Sequence, residues 1–267
     1  MSGMTSRRPR PGRMTPRQHE VHVWSVDLDA CSAMRHALLR SLSEDERVRA
    51  QRFHFERERH RFVAARGALR AILGQYLDVK AEELRFTYGP HGKPALEEDS
   101  APERLRFNLT HSEGLALIAV TLGIDVGVDV ESLSSMQWEE IAERFLSAQE
   151  IAVLETFAGE ERQHAFMACW TGKEAYVKAR GESIAMLLDR TAAPTPGDAR
   201  GFMRTTAGRM NVSRWSLEWF APAHGYLAAV CAEGNEWRLS ELRWPEHTSG
   251  SPPCGARASE SPRKRDV

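Results

Sequence analysis

Two short strings contain most of the side chains that could do chemistry. The first, Gly127 to Glu131 (GVDVE), has two carboxylates two residues apart within a run rich in β-branched residues. Side chains on a strand alternate between its faces, so this spacing places Asp129 and Glu131 on the same face. Such a pair could bind a hard cation of the Mg²⁺ kind, which prefers oxygen ligands.

The second string runs from Trp170 to Lys178 (WTGKEAYVK). Trp170, Lys173, Glu174 and Lys178 are spaced i, i+3, i+4 and i+8, which predicts one stripe along a helix. A third carboxylate would then lie with two ammonium groups, which could neutralise phosphate oxygens beside the cation. Either string alone could equally be a solvated strand end or a solvated helix face.

The composition is that of an ordinary globular protein. The 267 residues are 42% hydrophobic and 27% charged, enough for one large or two small domains. The formal net charge of -1 argues against a general nucleic-acid or membrane binder, so we expect neither partner. The sequence shows no apolar run near the roughly 20 residues of a membrane span and no secretory signal pattern.

The cysteines lie far apart and have no C-x-x-C spacing. This pattern predicts reduced, buried thiols rather than a zinc site or a disulfide framework. Together with the lack of a membrane segment, it favours a cytoplasmic protein. The residues are Cys31, Cys169, Cys231 and Cys254.

The chain divides into four parts by composition and periodicity. Residues 1–18 and 245–267 lack apolar periodicity and are predicted to be a disordered N-terminal arm and a disordered tail. Between them we expect an N-terminal lobe, 19–126, and a C-terminal lobe, 127–244. The predicted fold class is α+β, with two similar α/β lobes in a pseudo-two-fold arrangement and the active site in the cleft between them.

Local patterns predict the elements of each lobe. Ser43 followed by Glu46 forms a capping box that opens a long charged helix, and an amphipathic core helix follows. The remaining predicted elements are strands at 21–26, 84–88 and 105–112, the core helix at 62–77, a strand leading into Asp129, helices at 136–145, 148–157 and 160–179, and strands at 216–220 and 226–231.

In their order along the chain, these motifs resemble those of a 4′-phosphopantetheinyl transferase of the single-chain, two-lobed kind, which activates peptide, polyketide and fatty-acid synthases. The resemblance implies that coenzyme A is cleaved at its pyrophosphate, that 4′-phosphopantetheine passes to a serine of an acyl or peptidyl carrier protein, and that 3′,5′-ADP leaves. The motifs are Arg52-Phe53 with His60-Arg61, Gly92-Lys93-Pro94, Phe107 to Ser112, Gly127 to Glu131, Arg144-Phe145 with Glu150, and Trp170 to Lys178 with Gly181.

By this resemblance Asp129, Glu131 and Glu174 are the magnesium ligands, with Mn²⁺ as an alternative ion. Glu174 or Glu131 would also be the general base of the reaction, and the choice between them stays open. Lys178 and Lys173 would contact the pyrophosphate of coenzyme A, with Lys178 taking part in catalysis.

The resemblance also implies donors for the adenosine phosphates of coenzyme A: Arg61, Lys93, Thr110, His111 and either Arg49 or Arg47. The alternative for His111 is a histidine that closes a strand, and the arginines could be the solvated face of a charged helix. Trp170 is assigned to core packing, and Glu150 is a secondary site candidate. We expect a monomer that serves secondary metabolite biosynthesis.

The sequence departs from the family pattern at three places. Thr110 replaces a serine, arginine near Arg49 replaces lysine, and the segment from Gly181 to Ile184 (GESI) replaces a G-x-G-L pattern. The first two changes keep the donor chemistry, whereas the third alters the loop that follows the helix.

Two other functions fit part of the pattern. One is another Mg²⁺-dependent enzyme acting on a nucleotide pyrophosphate, such as a hydrolase or nucleotidyl transferase, although the sequence lacks the G-x-x-x-x-G-K-[ST] loop. The other is a non-enzymatic module that binds an acidic protein through the basic helix at 47–61.

Overall fold

The computed structural model of the protein describes residues 16–97, 104–134, 138–182, 191–192, 200–202, 204–205 and 214–245. Within these ranges the protein is a mixed α+β structure, as predicted. Residues 1–15 and 246–267, which make up nearly all of the two segments predicted to be disordered, lie outside the described residues. No helix within the described ranges is long and apolar enough to cross a membrane.

The strands are β1 Glu20–Asp27, β2 Phe86–Tyr88, β3 Pro94–Leu96, β4 Leu105–Ser112, β5 Leu115–Leu122, β6 Val126–Ser132, β7 Thr191–Ala192, β8 Arg200–Phe202, β9 Arg204–Thr205, β10 Trp215–Phe220, β11 Tyr226–Glu233 and β12 Arg238–Trp244. The α-helices are α1 Arg35–Ser41, α2 Glu44–Gln51, α3 Glu56–Leu77, α4 Trp138–Phe145, α5 Ala148–Leu154 and α6 Gly159–Arg180. Short 3₁₀ helices cover Ala30–Met34 and Ala81–Glu83.

Two four-stranded sheets form the centre of the described structure. The first has the order β12-β1-β5-β4 and the second has the order β6-β11-β10-β8. Val23 of β1 packs in a core cluster with Val128 and Val230 of the second sheet. The two sheets therefore bury one face of each against the other.

A long helix covers the outer face of each sheet. Trp24 of β1 and Ile118 of β5 pack with α3 residues such as Leu69 in one core cluster. Tyr176 of α6 packs with Leu217 and Cys231 of the second sheet in another. The layers follow the order α3, first sheet, second sheet, α6, which explains why both long helices are buried along much of their length.

The capping box predicted at Ser43 and Glu46 is present at the start of α2. The charged helix is shorter than expected, because α2 ends at Gln51 and α3 begins at Glu56. Glu46 is buried and forms ion pairs with Arg66 and with Arg70, whose Nε lies 2.6 Å from Oε2 of Glu46. The same carboxylate thus caps α2 and ties it to α3.

The last strand differs from the expected division of the chain. The boundary expected after residue 126 falls at the start of β6, the first strand of the second sheet. However, β12 lies within the segment assigned to the C-terminal lobe and pairs in parallel with β1 of the first sheet, with Glu20 opposite Arg238. The first sheet is thus built from both ends of the described chain.

Candidate active site

The site begins where β6 crosses α6. A Cβ atom on Gly127 would collide with the carbonyl oxygen of Ala175 and the amide nitrogen of Ala179. Glycine therefore permits the backbones of the strand and the helix to approach closely here. The contact brings the carboxylates of β6 beside the part of α6 that contains Glu174 and Lys178.

Lys178 and Asp129 form the central ion pair. Nζ of Lys178 lies 2.5 Å from Oδ1 of Asp129 and 3.0 Å from Oγ1 of Thr110. The Thr110 hydroxyl in turn donates to Oδ1 of Asp129 at 3.0 Å. Burial alone would lower the pKa of Lys178, but Asp129, Glu174 and Glu131 outweigh it and raise that pKa, so the ammonium stays charged.

Alternate residues of β4 bind β6 through side chains. The side-chain oxygen of Asn108 accepts a hydrogen bond from the Val128 amide at 2.9 Å. Thr110 and Ser112 follow on the same face of β4. The hydroxyl of Ser112 donates to Oε2 of Glu131 at 3.0 Å. Alternation on β4 thus supplies hydroxyl partners for both β6 carboxylates.

Glu131 and Glu174 both have raised pKa values. Burial is the largest cause for each, and the charge of Asp129 adds to it, which brings both values to about 7. Lys178 acts in the opposite direction on both groups. Three carboxylates near one ammonium leave an excess of negative charge, which a divalent cation would relieve.

The donor set fits a hard cation. Oδ2 of Asp129 is buried and has no hydrogen-bond partner among the described residues, which is costly for a carboxylate oxygen unless a ligand binds it. As the side chains stand, no group of three or more His, Cys, Asp or Glu within the described ranges is arranged to hold a metal ion. In this arrangement the ammonium of Lys178 compensates the charge of Asp129.

Three cationic side chains act on His111. Its pKa is lowered, first by partial desolvation and then by the charges of Lys178, Arg49 and Arg61. Arg49 also stacks over the ring of Phe62, at 5.4 Å from the centroid. Converging positive charges that disfavour a protonated histidine are typical of an anion-binding surface.

Arg61 is held by two carboxylates. Its guanidinium binds Asp29 through two hydrogen bonds, Nε to Oδ1 at 2.9 Å and Nη2 to Oδ2 at 2.8 Å, and Nη1 contacts Glu113 at 3.2 Å. Hydrogen bonding to Arg61 lowers the pKa of Asp29 to about 2. Arg47, the alternative to Arg49, donates to the carbonyl of Arg40 at 2.9 Å and is not among the cations that lower the pKa of His111.

Comparison with known proteins gives the family of the chain. A family model described as 4′-phosphopantetheinyl transferase superfamily matches residues 125–231, and a model described as 4′-phosphopantetheinyl transferase, N-terminal, matches residues 29–122. The 4′-phosphopantetheinyl transferase HetI of Nostoc sp. is 38% identical over 231 residues, which cover 86% of this chain and 94% of that protein.

The chain belongs to the 4′-phosphopantetheinyl transferase superfamily.

Other similar proteins have the same designation. The 4′-phosphopantetheinyl transferase Sfp of Bacillus subtilis is 25% identical over 191 residues, 72% of this chain and 82% of that protein. The 4′-phosphopantetheinyl transferase psf-1 of Bacillus pumilus is 29% identical over 192 residues, 71% of this chain and 78% of that protein. The resemblance drawn from the motifs is confirmed, and the chain is an enzyme that transfers phosphopantetheine to carrier proteins with coenzyme A as substrate.

Lys173 of this transferase does not lie with the other predicted site residues. Its side chain is fully buried, and its Nζ binds Oε2 of Glu150 at 2.7 Å. The groups that shift the pKa values of Glu131 and Glu174 include Lys178 but not Lys173. Lys173 and Glu174 belong to the same predicted stripe of the helix, but their side chains differ in direction enough that Lys173 contacts α5 while Glu174 lies near the carboxylates of β6.

Lys93 also has protein partners. Its Nζ donates to the carbonyl oxygens of Ala179 at 2.8 Å and Val126 at 3.3 Å. Burial lowers the pKa of Lys93 to about 8. The structure thus brings Asp129, Glu131, Glu174, Lys178, Thr110, His111, Arg49 and Arg61 to one region. The ammonium group of Lys93 binds backbone carbonyls of β6 and α6 instead, and that of Lys173 binds Glu150.

Ser112 and Asn108 are two site residues that the sequence pattern does not mark as such. The sequence predicts that they share one face of a strand with Thr110, but it does not predict that this face contacts β6. Glu150 ranked as a secondary candidate, although Ser147 and Glu150 show the spacing of a capping box that the structure contains. Trp170 packs against Phe145, with ring centroids 5.6 Å apart, which agrees with its assignment to the core.

Proposed function

We propose that this transferase moves 4′-phosphopantetheine from coenzyme A to a serine hydroxyl of an acyl or peptidyl carrier protein in a Mg²⁺-dependent reaction that releases 3′,5′-ADP. The observation that carries the proposal is the grouping of Asp129, Glu131 and Glu174 around the ammonium of Lys178. Acidic oxygen ligands beside a fixed cationic donor suit a pyrophosphate bound through Mg²⁺.

The metal ligands in this proposal are Asp129, Glu131 and Glu174. The buried, unpartnered Oδ2 of Asp129 and the raised pKa values of both glutamates support this choice. When bound, Mg²⁺, or Mn²⁺ in its place, would act as a Lewis acid on the pyrophosphate oxygens. Thr110 and Ser112 would hold the β6 carboxylates in orientation through their hydrogen bonds.

In the transfer step, the lysine and the glutamates of the site have separate roles. The serine oxygen forms a bond to the phosphorus that bears pantetheine, and the bond from that phosphorus to the bridging oxygen breaks. The bridging oxygen leaves with 3′,5′-ADP, and Lys178 compensates its negative charge. Glu174 or Glu131 accepts the serine proton, a role that a pKa of about 7 suits.

The adenosine phosphates of coenzyme A would bind the cationic surface around His111. Arg49 and Lys178 provide charge there, and Arg61 has a position beside them that its carboxylate partners fix. Thr110, which contacts both Lys178 and Asp129, links this surface to the metal site. Lys93 and Lys173, expected among the phosphate donors, are not included in this binding surface. Neither is among the cations that lower the pKa of His111, and their ammonium groups bind protein atoms.

We further propose the architecture and cellular setting that the family resemblance implies. The lobes would cover residues 19–126 and 127–244 and would be related by a pseudo-two-fold axis, with the active site in the cleft between them. Strand β12 of the second lobe would then complete the sheet of the first. The protein would act as a cytoplasmic monomer in secondary metabolite biosynthesis, with no nucleic-acid or membrane partner. The free, buried state of Cys31, Cys169 and Cys231 supports a reducing compartment.

Mass spectrometry of an apo carrier protein tests the proposal. The carrier is incubated with the protein, coenzyme A and Mg²⁺, beside an EDTA sample, an Asp129→Ala variant and an Asp125→Ala variant. Asp125 is an exposed acid just before β6 and serves as the matched control. We expect a gain of one phosphopantetheine with wild type and Asp125→Ala only. No gain with several carriers, from folded protein that binds coenzyme A, would contradict the proposal.

A further inference from the structure

Lys93 lies at the end of a tight turn in the hairpin formed by β2 and β3. The amide of Gly89 donates to the carbonyl of Lys93 at 2.9 Å, and Gly92 adopts a φ of 78°, which favours glycine. The hairpin strands pair antiparallel, with Tyr88 opposite Pro94. The backbone of Lys93 is thus fixed by the hairpin while its side chain reaches another part of the protein.

Both acceptors of the Lys93 ammonium are backbone carbonyls of the elements that bear the site. Ala179 lies in the last turn of α6, where the final carbonyls have no helical amide to accept from and the helix dipole favours a cation. Val126 is the first residue of β6. One ammonium therefore joins the end of α6 to the start of β6.

We infer that Lys93 is a positioning residue, whose ammonium fixes β6 against α6 and thereby sets the separation between the Asp129 and Glu131 carboxylates and Glu174. In its effect on catalysis, this inference rests on the proposed function of those carboxylates. The inference replaces a direct contact between Lys93 and a phosphate of coenzyme A.

The packing around Lys93 supports this assignment. Gly127, next to Val126, meets the backbone of Ala175 and Ala179 without a side chain between them, so the ammonium lies beside this close contact of strand and helix. Gly181 follows the helix with a φ of 66°, and a Cβ there would lie 3.4 Å from Cδ of Lys93. The Lys93 stem thus packs against the helix end that its ammonium caps.

Two substrates separate the positioning role from a contact with the 3′-phosphate. If Lys93 acts through β6 and α6, Lys93→Met lowers kcat by the same factor with coenzyme A and with 3′-dephospho-coenzyme A. If Lys93 binds the 3′-phosphate, the variant loses activity with coenzyme A and changes little with the dephosphorylated substrate. Lys80→Met, at an exposed lysine, is the matched control.

Mn²⁺ binding to the full-length protein, followed by electron paramagnetic resonance without coenzyme A, gives a readout that is independent of turnover. We expect Lys93→Met to weaken Mn²⁺ binding and lower kcat by about 10- to 100-fold each, with the KM for coenzyme A changed less than about twofold. Lys93→Arg, which keeps a cation, should recover most of both losses. Unchanged Mn²⁺ affinity with a raised KM for coenzyme A alone would overturn the inference.

Hydrogen exchange of backbone amides separates failure of this inference from failure of the proposed function. In Lys93→Met, the amides of residues 126–131 and 175–182 should exchange faster than in wild type, whether or not the protein modifies a carrier. Lys93→Gln, which keeps an uncharged N–H donor group, replaces Lys93→Met if the latter does not fold, and should show an intermediate increase. Exchange rates equal to those of wild type in these two segments would overturn the inference.

Discussion

The ammonium of Lys173 lies 2.7 Å from Oε2 of Glu150 and is fully buried, although the next residue along α6 is Glu174. The same Oε2 accepts hydrogen bonds from the amide and hydroxyl of Ser147, at 2.9 and 2.8 Å. One carboxylate therefore caps α5 and binds α6. The pair fixes the helix that carries Glu174 against α5.

We expect Lys173→Met to destabilise the protein. The substitution removes the counter-charge of a buried carboxylate, which typically lowers the free energy of unfolding by about 3–5 kcal/mol. Urea denaturation in the presence of EDTA measures the effect, and the double variant Lys173→Met/Glu150→Gln should recover part of the loss. A variant with wild-type stability but a raised KM for coenzyme A would indicate a pyrophosphate contact instead.

The stability of the metal-free protein should fall as pH rises toward neutrality. The folded protein holds the pKa values of Glu131 and Glu174 at about 7, above the ordinary value of 4.5. Between about pH 5 and pH 7 these two groups therefore bind more protons in the folded than in the unfolded state, so their contribution to the free energy of unfolding decreases through this window. The lowered pKa of His111 acts in the opposite direction. Thermal unfolding in EDTA across this range measures the slope.

The double variant Glu131→Gln/Glu174→Gln is the control for this pH dependence, because it removes both titrations and should flatten the slope. Added Mg²⁺ should raise the Tm of wild type more at pH 7.5 than at about pH 5.5, since protons compete with the metal for the carboxylates. An equal slope in wild type and the double variant would show that other groups cause it.

Glu174→Gln should lower the rate of carrier modification by at least about 100-fold while the protein stays folded. The rate falls because the amide is a poorer cation ligand and cannot accept the serine proton. The protein stays folded because the substitution removes one negative charge from a crowded acidic site. Rates follow from mass spectrometry of the carrier, and Glu161→Gln, at an exposed position of the same helix, is the control. A near-normal rate would exclude Glu174 from the active site.

Thr110→Val should reduce activity by about 10- to 100-fold, because it removes the donor to Asp129 and the acceptor of the Lys178 ammonium. Thr110→Ser retains the hydroxyl and should stay within a few-fold of wild type. The comparison is made on kcat/KM for coenzyme A at saturating carrier protein. Equal activity of the two variants would show that the hydroxyl is not needed.

Gly127→Ala should destabilise the protein, because the added methyl group meets backbone atoms of α6 that cannot rotate away. The expected cost is about 1–3 kcal/mol, the range for overpacked positions. Denaturant unfolding measures this, with Gly89→Ala as the control, since a Cβ at Gly89 meets only the Lys93 carbonyl oxygen at an ordinary 3.7 Å. A Gly127→Ala protein as stable as that control would contradict the close contact.

The sequence allowed prediction of the parts of the site that depend on local spacing. Asp129 and Glu131 share a face because strand alternation has a period of two, and the helix predicted at 160–179 is α6, Gly159–Arg180. The partner of Lys173 could not be predicted in the same way, because Glu150 lies on another helix and its spacing from Lys173 has no local periodicity. The partner of the Ser112 hydroxyl could not be predicted either, because it depends on how β4 packs against β6.

The pairing of β12 with β1 also could not be predicted from local sequence patterns. The strand at 238–244 has mixed burial, and its partner lies more than 200 residues earlier in the chain. Residues 216–220 and 226–231 were predicted as strands and form β10 and β11. These two strands are neighbours in the chain and in the sheet, so their alternation and the turn between them suffice.

The parallel pairing of β1 with β12 has a consequence for synthesis of the protein. The edge of the first sheet beside β1 stays open until residue 244 has left the ribosome, because the strand that covers it is the last one of the described chain. The first sheet therefore keeps one unpaired strand edge while the second sheet and α6 are synthesised. Contacts of such long sequence separation slow folding, so completion of the first sheet is expected to be a late step in maturation of the enzyme.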